Sequence, residues 1–170
     1  MSSVLERMYL DDSLIKLSLE AEDKNSVLEK TALLLKEGGY VKETFSDAIK
    51  EREVHYPTGL QLEHIGVAIP HTDAEFVIEQ SMAIAILKNP VNFTFMGSED
   101  IQVPVKVVFM LAIKEPHAQL EFLQALMDLF QNDELVLDIV NSNSENEVVE
   151  KFKKYIVSMW FRDCHFYSCA

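Results

Sequence analysis

Cysteine is nearly absent. Only Cys164 and Cys169 occur in 170 residues, so no disulfide framework can brace the body of the fold. Glycine and proline are scarce, five of each, which excludes collagen-like and linker-rich chains. No apolar run reaches the ~20 residues of a membrane-spanning helix. The opening MSSVLERMYLDD has no basic segment followed by an apolar one, so no secretory signal is expected. Cations are also in short supply: 15 Lys and Arg face 28 Asp and Glu, a formal net charge of −13. Nucleic-acid affinity rests on cation clusters that displace counterions, so no nucleic-acid partner is expected. An acidic surface favours basic protein partners instead. These shortages together predict a soluble, cytoplasmic chain without membrane insertion.

What is present is ordinary globular material, 48% apolar and 25% charged, and long enough for one domain with a real core. Leu14 to Leu19 alternate as a strand does. Val27, Leu28, Thr31, Leu34 and Leu35 recur at helical spacing over 25–37, closed by Gly38-Gly39. Phe45, Ala48, Ile49 and Arg52 line one side of a second helix over 43–53. Tyr56-Pro57-Thr58-Gly59 is turn chemistry. Ile65 to Ile69, Ser81 to Leu87 and Val103 to Ile113 are continuous apolar runs, the mark of strands buried on both faces. Asn89-Pro90 and Met96-Gly97-Ser98 read as turns, and Pro104 as a strand start or edge. Pro116 opens a helix whose buried stripe is expected to be Leu120, Leu123, Leu126, Met127 and Phe130. A short helix follows near 133–141. Ser144-Glu145-Asn146-Glu147 is a capping box ahead of Val148, Val149, Phe152, Tyr155 and Ile156. Helices before and after the strands predict an α/β (α+β) fold: a mixed sheet flanked by helices on both faces. One domain is expected over 1–157, with a tail over 158–170.

The catalytic signatures that are easiest to recognise are missing: no nucleophile elbow, P-loop, dinucleotide fingerprint or H-E-x-x-H occurs. Five histidines remain, His55, His64, His71, His117 and His165, with no ligand triad at metal spacing. His71 follows a strand that ends in Pro70. Proline ends the ladder, so the next side chain is expected to be exposed and firmly held. Gly66 in the same run permits close backbone approach. His117 heads a helix, where free N–H groups favour anions. Position alone leaves either histidine open to a plain surface role.

The segment Gly66-Val67-Ala68-Ile69-Pro70-His71 resembles the G-I-A-I-P-H phosphorylation motif of fructose/mannitol-type (type 2) enzyme IIA domains. These belong to the phosphoenolpyruvate-dependent sugar phosphotransferase system. The likeness spans roughly residues 10–157, in family order. Tyr56-Pro57-Thr58-Gly59-Leu60 and Gln61-Leu62-Glu63-His64-Ile65 replace the more usual glycine-rich stretch and look closer to the galactitol-specific branch. The resemblance implies His71 as phosphoacceptor, attacking through Nε2. It implies His117, in His117-Ala118-Gln119-Leu120, as the second histidine that stabilises the phosphoryl group, and Arg52 as a phosphate contact. Thr72 is a candidate hydroxyl donor. The implied partners are the phosphocarrier HPr, an enzyme IIB cysteine and, indirectly, the membrane IIC component. No metal, nucleotide or other cofactor is implied. The alternative is a regulatory phosphohistidine module uncoupled from transport; a weaker one is a metal site built from the histidines or from Cys164, His165 and Cys169.

Overall fold

The computed structural model describes residues 7–166, with side chains described through Ser158. A short 3-10 turn at Asp12–Leu14 leads into β1 (Ile15–Leu19). Then come α1 (Lys24–Glu37), α2 (Phe45–His55), β2 (Gly59–Gln61), β3 (Gly66–Ala68), β4 (Ser81–Thr94), β5 (Gln102–Ala112), α3 (Pro116–Phe130), α4 (Asp133–Val140) and α5 (Glu145–Phe166). The strands form one sheet in the order β1-β4-β5-β3-β2. β1 is parallel to β4 and β3 to β5, while β4–β5 and β2–β3 are antiparallel. The sheet is therefore mixed, as expected.

The apolar runs account for this arrangement. Met82 to Leu87 and Val107 to Ile113 are buried without a break, which requires cover on both faces of the sheet. α1 packs on β4 and against α2. On β5, Phe109 meets Phe130 of α3 at 5.5 Å and Phe152 of α5 at 6.4 Å between ring centroids, the spacing of tilted aromatic pairs. α1 ends in a Schellman turn. Gly39 has φ 80°, the Tyr40 N–H donates to Leu35 O and the Gly39 N–H to Lys36 O, both at 3.0 Å. The expected capping box forms in half: Ser144 Oγ accepts the Glu147 N–H at 3.1 Å, while Glu147 Oε2 accepts the Asn143 N–H at 2.8 Å instead of that of Ser144.

Two expectations are corrected. Asn89-Pro90 is not a turn: β4 runs through it. The β4–β5 register breaks between Ile86 and Val91, and this bulge spares Pro90 the ladder bond it cannot make. In α3, Leu120 and Met127 are exposed. The buried face is Ala118, Phe122, Leu126, Leu129 and Phe130, with Phe130 packed on Phe109 of β5. Pro104 does lie near a strand start, the third residue of β5. α5 carries the backbone through Phe166; the side chains of Cys164 and His165, and all of Cys169, lie outside the described residues.

Candidate active site

β3 and β5 are parallel neighbours inside the sheet, so their carboxyl ends point the same way, to one end of it. Gly66 lets them meet: a Cβ built there would overlap the Pro104 carbonyl of β5. Beyond β3, Pro70 is buried and its carbonyl accepts the Leu111 N–H at 2.9 Å. His71 then forms an isolated parallel bridge with Leu111. That bridge seats His71 just past the carboxyl end of β3, beside the interior strand β5, and the residue is half-buried rather than exposed as expected.

Nδ1 of His71 lies 2.8 Å from the Ile69 carbonyl oxygen. A carbonyl can only accept, so in the neutral ring Nδ1 holds the proton and Nε2 keeps the lone pair. Burial pushes the pKa of His71 below the ordinary imidazole value; the Arg52 charge adds to that, while the Ile69 bond and Asp73 oppose it.

Arg52 lies on α2 and is partly buried, its Nη1 3.4 Å from Asp73 Oδ1. The guanidinium sits 5.2 Å from the centre of the Tyr56 ring, within cation–π range. Its Nε is buried without an acceptor, so the guanidinium has donor capacity to spare. Thr72 is buried, at 4% exposure. His117 is exposed at the second position of α3. Ile113, Lys114 and Glu115 alone connect β5 to that helix. The two histidines thus issue from the carboxyl ends of neighbouring strands.

Sequence reading passed over Glu53. It is 2% exposed and accepts the Thr58 N–H at 2.9 Å and the Thr58 hydroxyl at 2.8 Å. Burial pushes its pKa up, against the two hydrogen bonds. The signal was available: Phe45, Ile49 and Glu53 fall at i, i+4 and i+8, so a carboxylate continues the buried stripe of α2.

Residues 8–155 match the family described as phosphoenolpyruvate-dependent sugar phosphotransferase system, EIIA 2. The chain belongs to this enzyme IIA family. It is 31% identical over 137 residues to the galactitol-specific EIIA component of Escherichia coli K12, covering 79% of this chain and 89% of that one. It is also 37% identical over 101 residues to the transcriptional regulator ManR of Bacillus subtilis, which covers 59% of this chain and 14% of the regulator. The mannitol enzyme IIA of Escherichia coli, solved in complex with phosphorylated enzyme IIB, has the same fold. The TM-score is 0.70 at 22% identity, covering 86% of this chain and 99% of that one.

A second cluster in this IIA protein escaped the sequence search for ligand triads. Ligand atoms of Glu63, His64 and Asp133 lie within 4.8 Å of one another. Asp133 Oδ2 accepts the His64 backbone N–H at 2.7 Å and lies 3.0 Å from His64 Nδ1. The contact fastens the β2–β3 connection to the start of α4. Asp133 is 69 residues from His64 in the chain, so no local spacing could have paired them.

Proposed function

We propose that this IIA protein is a cytoplasmic phosphoryl carrier, taking a phosphoryl group from HPr onto His71 and passing it to a cysteine of an enzyme IIB. The observation that carries the reading is the contact of His71 Nδ1 with Ile69 O, which leaves Nε2 as the nucleophile. As the donor's bond to phosphorus breaks, the Nε2–P bond forms. The ring keeps its Nδ1 proton and becomes cationic. The Ile69 carbonyl then stabilises that charge through the same hydrogen bond. The three phosphoryl oxygens carry negative charge in flight, and catalysis of such transfer is mostly positioning and electrostatics. Arg52 supplies a fixed cation, while His117 and the head of α3 supply N–H donors. When the IIB thiolate attacks phosphorus, the Nε2–P bond breaks and the neutral ring returns. The depressed pKa of His71 keeps the nucleophile unprotonated at neutral pH.

The likeness to a galactitol-specific EIIA component supports a hexitol such as galactitol as the sugar taken up through the IIC component. A regulatory role uncoupled from transport is the second reading, favoured by the match to ManR. The test is incubation with enzyme I, HPr and labelled phosphoenolpyruvate, followed by transfer to purified galactitol-type IIB. The expected result is one acid-labile label per chain, lost in His71→Ala and chased onto IIB. Label retained by His71→Ala at the wild-type rate would overturn the site. Label accepted but never passed to IIB would favour the regulatory reading.

A further inference from the structure

A continuous path of hydrogen bonds runs from the interior of α2 to the ring of His71. Glu53 accepts both the N–H and the hydroxyl of Thr58, at 2.9 and 2.8 Å. The Thr58 carbonyl accepts the Ile69 N–H at 3.3 Å. The Ile69 carbonyl in turn lies 2.8 Å from His71 Nδ1. The path is sheltered up to the half-buried imidazole: Glu53 is 2%, Thr58 3% and Ile69 2% exposed. A buried carboxylate is costly to keep unless hydrogen bonds compensate it. Here its two acceptors are spent on one residue, and that residue's carbonyl holds the N–H of Ile69, whose own carbonyl, one peptide further on, reaches the imidazole.

From this path we infer that Glu53 is a positioning residue for His71, setting the ring's tautomer and aim through Thr58 and Ile69. The inference rests on the phosphoryl-carrier reading and deepens it. Neighbouring residues on a helix point about 100° apart, so one turn of α2 serves two ends. Arg52 faces the charged side of the site, and Glu53 faces inward to the segment on which His71 is mounted. A purely structural carboxylate would affect only stability. A positioning carboxylate must also alter the imidazole itself, because the acceptor of Nδ1–H moves when the Thr58–Ile69 link slackens.

The ring nitrogens can be read directly by 15N NMR of the labelled full chain, without any phosphoryl donor. Wild type should show Nδ1 protonated and Nε2 bare above the histidine's titration. In Glu53→Ala the Nδ1 signal should shift toward the averaged tautomer mixture of a free imidazole. Turnover with phospho-HPr should fall roughly 10–100-fold with KM within about twofold, the scale of a misplaced reacting group. Glu53→Gln can still accept the Thr58 N–H through its carbonyl and donate to the hydroxyl, so it should restore the ring spectrum and most of the rate. Should the alanine variant fail to fold, Thr58→Val removes only the hydroxyl link and should give a smaller shift in the same direction. A folded Glu53→Ala or Thr58→Val protein with wild-type ring signals would overturn the inference. If instead the wild-type ring has Nδ1 protonated but takes no phosphate from HPr, the carrier reading fails while the positioning of the ring stands.

Discussion

As the proposed nucleophile, His71 depends on its surroundings. Its pKa lies below the ordinary 6.5, chiefly through burial, so Nε2 stays unprotonated into mildly acidic solution. Phosphate acceptance should hold its rate as pH falls through 6.5 and decline only at lower pH; pre-steady-state acceptance across pH 5–8 checks this. Linkage sets the sign for stability. Between the folded and unfolded pKa values the unfolded chain binds more protons, so His71 favours the fold above about pH 6.5, and that contribution is lost as pH falls through the folded value. His117 is exposed, and its proposed role is different, that of a donor at a helix head. His117→Ala should slow onward transfer to IIB by roughly 10²–10³, the scale of one lost oxyanion donor, while label still reaches His71. Rapid-quench transfer measures it, and alanine kinetics equal to wild type would leave His117 as a surface residue.

Strands and helices carry the site by meeting closely at particular points. Gly66→Ala would drive a methyl group into the Pro104 carbonyl, so β3 must move away from β5. We expect about 1–3 kcal/mol of destabilisation, as for overpacking, with slower phosphate acceptance because His71 hangs from β3. Urea midpoints and acceptance rates should fall together. The inner face of α3 can be tested in the same way. Leu126 is 1% exposed and Leu120 62%. Leu126→Ala should cost about 2–5 kcal/mol, and Leu120→Ala should stay within about 0.5 kcal/mol. Equal midpoints for the two variants would contradict the observed face. Both leucines fit one helical stripe in the sequence. Which stripe turns inward was settled by the sheet, since Phe109 on β5 offers Phe130 and Phe152 a place to pack.

Across the whole molecule the dominant quantity is a net charge of −13. No described helix is long and apolar enough to cross a membrane, and the proposed encounters are with other proteins. If HPr is the donor as proposed, an acidic chain is expected to draw in a basic face on it by long-range attraction, which salt screens over about 10 Å at 0.1 M. Raising sodium chloride from about 0.05 to 0.5 M should therefore lower kcat/KM for acceptance by roughly tenfold, with kcat nearly unchanged. Stopped-flow or quench kinetics at several salt concentrations checks this, and a flat profile would mean that the encounter depends on apolar contact instead.

Sequence alone determined the elements whose signals are local. Gly38-Gly39 ends α1 because an αL residue is needed there. The unbroken apolar runs read as buried strands because both of their faces must leave water. Pro70-His71 could be singled out because a proline stops a strand at a known place. The order of the strands, the bulge at Pro90 and the inward face of α3 depend on partners far along the chain, and only the tertiary structure decided them. The same holds for the half-buried state of His71, since its bridge is to Leu111. Glu53 shows the division within one residue. Its spacing placed it on the buried face of α2, but its partners Thr58 and, beyond it, Ile69 are brought together by the β2–β3 region, and no periodicity in the chain records that meeting.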